Sequence, residues 1–407
     1  MAGFDRGLRP NWLEIHLDTL RDNVAAIREH LDRRGGRRSR IAAVVKAEGY
    51  GHGAIPIART ALKAGADSLA VAIADEGIAL RKEGFDVPIL VLGWTPPEMM
   101  EAAVDGDLTL TIFSLDDARV LSEVAQRTAA TVPVHIKIDT GMSRLGFPPV
   151  PAAVDDIVAI ASMNGIELEG MFTHFAVADE DHVFTRKQIR HYLRMQNMLS
   201  ARGLRIPIRH LCNSAAVLDF PDVAFDMVRP GLVMYGVYPS PSVSRSVPVR
   251  QFMTWKTRIS QIRDIRPGDS VGYGRTYLAA EPVRVATLPV GYADGFSRSL
   301  SGGVGEVLIR GRRCPVIGRV CMDQAMVALT DAIAPDVGEE VVLMGSMGGE
   351  TIDVDEMARR RETIAHEVFT GIGPRVPRIL FEGGRAVARA KLLDYGATLL
   401  ERGGMDR

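Results

Sequence analysis

At 407 residues the chain exceeds one ordinary hydrophobic core, so two domains are expected. Its 46% hydrophobic and 24% charged content belongs to a soluble globular protein. A formal net charge of -1, with no Lys/Arg run, argues against nucleic acid or an anionic membrane as partner. Three scattered cysteines, Cys212, Cys314 and Cys321, make neither a disulfide framework nor a zinc site, and no metal is expected. No apolar segment reaches the length of a membrane span. The opening MAGFDRGLRPNW lacks the apolar core of a signal peptide, so a reduced, cytoplasmic protein is expected.

In chain order, Trp12–Asp18 alternates like a strand, and Asp18 opens a helical pattern through about Leu31. From Ile41 the pattern is strand, loop, helix, repeated. The strands are expected at Ile41–Lys46, Ser68–Ala72, Pro88–Leu92, Leu108–Phe113, Val132–Ile138, Ile166–Phe172, Ile208–Cys212 and Met227–Arg229. Helices fall between them at Ala54–Lys63, Pro97–Val104, Leu115–Ala125, Val154–Ser162 and Val183–Ser200. Eight strands within about 200 residues fit a (β/α)8 TIM-type barrel. A doubly wound open sheet is the alternative, but its GxGxxG fingerprint is absent after the first strand. Pro239-Ser240-Pro241 reads as a domain junction. Beyond it, the short apolar runs Phe252–Ile262, Val283–Val290, Glu306–Ile309, Val316–Leu329 and Glu340–Met344 read as a mostly β domain with one helix, about Asp355–Thr370. The expected organisation is an N-terminal strand (1–15) packing with the C-terminal domain, a barrel (16–240), a β domain (241–390) and a polar tail (391–407).

The chemistry clusters at strand ends. The first barrel strand runs into Lys46 and the turn Gly49-Tyr50-Gly51-His52-Gly53. A lysine at the C-terminal tip of a barrel strand sits where such barrels place their chemistry, although a lone lysine also reads as one snorkelling from a strand end. Desolvated, it becomes a nucleophile toward an aldehyde, which is how pyridoxal phosphate is held. Tyr50 can offer a hydroxyl, and the glycines admit close backbone approach. The fifth strand ends in Lys137 and leads to Arg144, which can fork a carboxylate or simply solvate its loop. His174 follows the sixth strand, where a histidine is more often a satisfied core residue than a ligand or cofactor partner. Cys212-Asn213-Ser214 opens a helix whose free N–H groups suit a phosphate. Arg229-Pro230-Gly231-Leu232 supplies another glycine turn. In the second domain come Gly272-Tyr273-Gly274, Gly291-Tyr292-Ala293-Asp294-Gly295 and Cys321-Met322-Asp323. A tyrosine between glycines has reach without packing value, which singles out Tyr273.

With these motifs in order (VVKAEGYGHG, KIDTGMSRLGF, THFAVAD, VRPGLVMYG, VGYGRTY, LPVGYADGF, GRVCMDQ and GIGPRVPR), the chain resembles the alanine racemases nearly end to end. The resemblance implies a pyridoxal 5'-phosphate enzyme with a barrel and a β domain, interconverting L- and D-alanine for cell-wall peptidoglycan. It implies that Lys46 forms the internal aldimine and serves as one acid/base group. Tyr273, from the partner subunit of a homodimer whose sites span the interface, is the other. It further implies that Tyr50, Asn213, Ser214, Gly231, Leu232 and Tyr292 bind the cofactor around its phosphate, with His174 against the pyridine ring and Arg229 on its nitrogen. Arg144, Met322 and Asp323 fall on the substrate side, and Lys137 aligns with a lysine that many members carbamylate. Inverting an α-carbon needs a proton acceptor on one face and a donor on the other. The chain departs from the family pattern of RVPR, any residue, tyrosine: Leu380 replaces the tyrosine, and a wider substrate pocket is expected, admitting serine. A broader amino-acid racemase, an amino-acid decarboxylase of the same architecture, and a cofactor carrier built on the barrel alone are the competing readings.

Overall fold

A computed structural model describes residues 9–33, 38–330 and 332–390. The expected tail, 391–407, and the first eight residues of the leader lie outside the described residues. The chain forms two compact units. Among the described residues, one comprises Leu17–Tyr50 and Ala54–Phe252; the other comprises 9–16, Gly51–Gly53 and 253–390.

The first unit is a parallel barrel. After β1 (Asn11–His16), which belongs to the other unit, its strands are β2 (Arg40–Val44), β3 (Ser68–Val71), β4 (Ile89–Val91), β5 (Leu110–Ile112), β6 (Val132–Lys137), β7 (Ile166–Phe172), β8 (Ile208–His210) and β9 (Met227–Val228). Two four-stranded parallel runs, β4-β3-β2-β9 and β5-β6-β7-β8, make up the wall. A bridge from Leu90 to Thr109 joins β4 to β5, and Arg229 N–H donates to the Cys212 carbonyl at 2.9 Å beside β8 and β9. Ser68–Val71, Ile89–Val91 and Leu110–Ile112 are buried throughout, as strands covered on both faces must be. That is why they read as mostly apolar runs, with only Ser68 and Thr111 polar. The helices between strands match their expected places, for example Ala54–Lys63, Pro97–Asp105, Leu115–Arg127 and His182–Ala201.

The second unit is built on a largely antiparallel sheet. Its strands are β10 (Met253–Arg258), β11 (Gln261–Ile265), β12 (Ser270–Val271), β13 (Tyr277–Leu278), β14 (Val283–Leu288), β15 (Glu306–Ile309), β16 (Arg312–Ile317), β17 (Ala325–Ala328), β18 (Glu340–Met347), β19 (Glu350–Ile352), β20 (Arg378–Glu382) and β21 (Arg385–Ala390). Ten of these strands form one sheet together with β1, and β12 and β13 make a separate hairpin. β1 lies inside that sheet, antiparallel to β10 and parallel to β20. The run Val316–Leu329 is interrupted at Gly318, whose φ of 64° ends β16. The single helix expected over Asp355–Thr370 is two, Val354–Arg360 and Ala365–Thr370. Glu362, at φ 54°, adopts the left-handed conformation that separates them. Leu380 is a buried β20 residue in register with Ile15 and Ala388.

Candidate functional site

Lys46 stands two residues past β2, and the chain then turns through a left-handed helical stretch. Ala47, Glu48, Gly49 and Tyr50 all have φ between 51° and 58°. For the three residues that carry a Cβ this costs about 1–2 kcal/mol each, and such strain persists where surrounding bonds over-determine it. The bonds here come from Glu76, at the start of helix Ala74–Lys82. Its carboxylate accepts from Ala47 N–H at 2.6 Å and from Ala72 N–H at 2.7 Å. Sequence reasoning missed Glu76; an acid in the first turn after a barrel strand was its only signal. The turn buries Tyr50 against Tyr235, ring centroids 4.5 Å apart.

Tyr50 points at the turn after β9. A Cβ added to Gly231 would lie 2.5 Å from the Tyr50 hydroxyl oxygen, so only glycine fits. Gly231 N–H donates to Ser214 Oγ at 3.0 Å, and Val233 N–H reaches the same oxygen at 3.3 Å. Tyr50 Oη, Ser214 Oγ and these N–H groups thus converge on one small cradle from three separate turns. Asn213 caps the short helix Ser214–Asp219, its Oδ1 accepting from Ala216 N–H at 3.1 Å. Leu232 is buried beside the cradle.

Cations dominate the remainder of this barrel end. Burial depresses the Lys46 pKa, the charge of Arg144 depresses it further, and Glu76 partly opposes them. Lys137 is buried over the Phe172 ring, its ammonium 4.1 Å from the centroid. Its pKa falls well below that of an ordinary lysine, through burial first and then the charges of Arg229 and Arg144. His174 is held neutral by burial and by the surrounding Lys137, Arg229, Arg144 and Lys46. Arg144 is exposed, on a loop organised by Asp139, whose Oδ1 accepts from Gly141, Met142 and Ser143 N–H at 3.0 Å each. Gln188 orders the neighbouring loop, donating to the His174 carbonyl and to Thr140 Oγ1 while accepting from Ala176 N–H. Arg229 is buried, and burial lowers its pKa to about 10. Its Nη groups donate to His210 Nδ1 (2.6 Å), the His210 carbonyl (2.9 Å), the Thr173 carbonyl (2.7 Å) and the Leu211 carbonyl (3.2 Å). All four Nη hydrogens are thereby engaged, which leaves the Nε–H as the donor for a ligand.

The remaining sequence-predicted residues lie in the β unit. Tyr273 projects from a turn between Gly272 and Gly274 and is 72% exposed. Tyr292 and Met322, also exposed, sit on turns joined by bonds from Tyr292 N–H to the Cys321 carbonyl and from Ala293 N–H to the Met322 carbonyl, both 3.0 Å. Arg375 donates to Asp323 at 2.6 Å and to the fully buried Asp294 at 2.7 Å. Arg9 pairs with Asp294 as well. This charged lattice, which sequence reasoning did not single out, fixes the Tyr292 and Asp323 turns together.

A parallel eight-stranded barrel with a depressed-pKa lysine past one strand tip, in one chain with a largely antiparallel β unit, defines a class of two-domain proteins with an amine-bearing barrel mouth. Family models described as alanine racemase, N-terminal domain, and alanine racemase, C-terminal domain, match residues 15–239 and 252–380. The chain belongs to the alanine racemase family. It is 44% identical to an alanine racemase of Symbiobacterium thermophilum, over 93% of this chain and 98% of that one. Against the solved alanine racemase of Clostridium difficile 630 it has a TM-score of 0.91 at 39% identity, covering 95% of this chain and all of the other. A histidine racemase from Leuconostoc mesenteroides superposes with a TM-score of 0.83 at 27% identity, over 93% of this chain.

Proposed function

We propose that the protein interconverts L- and D-alanine using pyridoxal 5'-phosphate held at the barrel mouth. The observation that carries this reading is the cradle at Gly231. A Cβ would fill it, and its donors (Tyr50, Ser214 and the Gly231 backbone) suit a phosphate, while Lys46 offers a desolvated amine from the same barrel end. The two guanidinium groups, Arg144 and Arg229, raise the potential there for a phosphate and a substrate carboxylate. The donor set therefore fits the cofactor. Asn213, Leu232 and Tyr292 would complete the phosphate site, His174 would flank the ring, and the Arg229 Nε–H would meet its nitrogen. When bound, the cofactor would supply an electron sink for the pair left as the α-proton departs.

The protein's residues would do the rest. Lys46 holds the cofactor covalently between turnovers, and burial with Arg144 keeps its amine able to accept a proton. Tyr273, supplied by the partner subunit of a homodimer, gives or takes the proton on the other face of the α-carbon. Arg144 and the Met322 N–H hold the carboxylate, with Asp323 beside it. Lys137, with its depressed pKa, adds to carbon dioxide and loses a proton to become a carbamate that orients Arg144; intact-protein mass spectrometry reads that increment. The enzyme works in the cytoplasm and supplies D-alanine for peptidoglycan. No helix among the described residues is long and apolar enough to cross a membrane.

The test is purified protein with added pyridoxal phosphate and L-alanine, followed by chiral chromatography in deuterium oxide. D-alanine carrying deuterium at the α-carbon is expected; carbon dioxide release without D-alanine would replace the reading with decarboxylation. The kinship with a histidine racemase favours a second reading of wider specificity, and serine and histidine in the same assay decide it.

A further inference from the structure

The barrel interior holds a chain of polar side chains that neither the phosphate cradle nor the substrate clamp uses. Arg229 Nη1 donates to His210 Nδ1 at 2.6 Å. His210 Nε2 lies 2.7 Å from His135 Nδ1, and His135 Nε2 lies 3.1 Å from Glu169 Oε2. His135 and His210 are both buried, whereas Glu169 is partly open to solvent. Glu169 and His135 line a cavity with Arg40, Ser68, Thr109 and Met227, at or just before the starts of β2, β3, β5 and β9. That is the barrel end opposite Lys46. The chain thus runs from the guanidinium at the proposed cofactor to the far mouth.

Its ends dictate its protons. Arginine only donates, so His210 Nδ1 must accept, and a neutral His210 carries its hydrogen on Nε2. That hydrogen faces His135 Nδ1, which must then accept, leaving the His135 hydrogen on Nε2 and aimed at the Glu169 carboxylate. One arrangement satisfies every member: two neutral imidazoles, both Nε2–H, all bonds pointing from Arg229 to Glu169. Protonating His135 would turn its Nδ1 into a donor facing the Nε2–H of His210, two donors with no acceptor between them. Burial likewise disfavours charge on both rings.

The fold makes room for this chain. A Cβ on Gly170 would lie 2.6 Å from three atoms of the His135 ring, so glycine is required beneath it. The β6–β7 register shifts between Val134 and His135 at the same point. Phe172 stacks on His210 at 4.6 Å and 8°, and lies beneath the Arg229 guanidinium at 5.0 Å. A half-satisfied network of this kind would weaken the core, so its completeness calls for a use.

We propose that Glu169, His135 and His210 form a through-barrel relay that fixes the orientation and donor strength of Arg229, and so sets how the cofactor ring is poised for racemisation rather than amino transfer. The three are positioning residues; only Arg229 touches the ring. The anion at the far end draws the Arg229 charge along the chain and keeps its Nε–H a weak acid toward the ring nitrogen. This rests on the reading of Arg229 given under Proposed function.

Two arms separate the relay from that reading. The first needs no cofactor: 15N spectra of the histidines in the cofactor-free protein. The charged groups facing the two rings are Glu169 from β7, Arg229 after β9 and Lys137 at the end of β6, with Arg40 and Asp67 around the cavity. His135 and His210 are expected as neutral Nε2–H tautomers across about pH 5.5 to 9. Glu169→Gln, at a partly exposed site that tolerates the change, is expected to shift the His135 signals and mix its tautomers. Titration of either ring in that window, or an Nδ1–H tautomer, would overturn the relay. The second arm loads both proteins with pyridoxal phosphate and counts side reactions per racemisation turnover. In the side reaction the alanine amino group moves to the cofactor, giving pyridoxamine phosphate, and alanine leaves as pyruvate. Glu169→Gln is expected to raise that ratio at least about threefold and shift the bound cofactor's absorption, with KM unchanged and Glu169→Asp restoring most of the native ratio. A ratio and spectrum equal to the native protein's would overturn the coupling to Arg229. Failure of the native protein to take up the cofactor would instead sink the reading of Arg229 as its ring partner, while the first arm still decides the relay.

Discussion

Lys46 carries the most direct chemical consequence of the site. A lowered pKa leaves more of the amine neutral at a given pH, so in the cofactor-free protein Lys46 is expected to acylate at lower pH than an ordinary lysine. Arg144→Gln removes a charge that depresses the pKa, so the Lys46 labelling profile should move to higher pH. Peptide mass spectrometry across a pH series reads both, and an Arg144→Gln profile unmoved or moved downward would refute the electrostatic account. The residues after Lys46 hold a different reserve. Ala47 is exposed at φ 51°, a conformation glycine adopts without a Cβ penalty. Ala47→Gly is therefore expected to stabilise the protein by about 1 kcal/mol, a rise of about 2–4 °C in Tm for a domain of this size. Calorimetry checks it, and a lowered Tm would show that the strained stretch is not limited by side-chain sterics. Lys46, Lys137, Ser214 and Arg229 were legible in the sequence because each follows a recognisable strand, and strand ends are where a barrel gathers its chemistry. Glu76 and Asp139 were not. Their work is done on backbone N–H groups of loops whose shape no residue pattern records.

The relay shows the same divide among whole elements. Strands β2 to β9 were legible because a strand covered on both faces has to be apolar, and the glycine and proline turns between them punctuate the runs. What β6 and β7 carry inside the barrel was not. His135 and His210 are 75 residues apart, and His135 and Glu169 are 34 apart, so only barrel closure brings them into line. Gly170 looks like an ordinary strand glycine until the His135 ring is seen against it. Gly170→Ala is accordingly expected to cost about 1–3 kcal/mol, the range for overpacking a filled core. Urea unfolding at unchanged m-value measures it, and a neutral result would mean the ring has room to move. In the β unit, the helix break at Glu362 escaped notice because neither glycine nor proline marks it. Leu380 stands out in the sequence only against the family pattern, and the pairing with Ile15 and Ala388 adds that it is buried in β20.

At the scale of the whole molecule, the proposed chemistry divides its two acid/base groups between the units of the chain. Lys46 belongs to the barrel unit and Tyr273 to the β unit. Tyr273 is 72% exposed on a glycine-flanked turn, a large aromatic without packing value in its own chain. If the partner subunit supplies it, a homodimer holds two sites, each using Lys46 of one chain and Tyr273 of the other. Tyr273→Phe should then abolish most racemisation while leaving cofactor uptake intact, because the hydroxyl is proposed as an acid/base group and not as a cofactor ligand. Lys46→Ala should be inactive by losing the other group. Unfolded and refolded together in equal amounts, the two inactive proteins form mixed dimers in half of all pairings. Each mixed dimer has one site with both residues intact and one with neither, so about a quarter of the native rate is expected back. Racemisation assays on the refolded mixture, beside each variant refolded alone, measure it. No recovery in a mixture shown to contain mixed dimers would place Lys46 and Tyr273 of the same chain together, and the shared-site reading would be withdrawn.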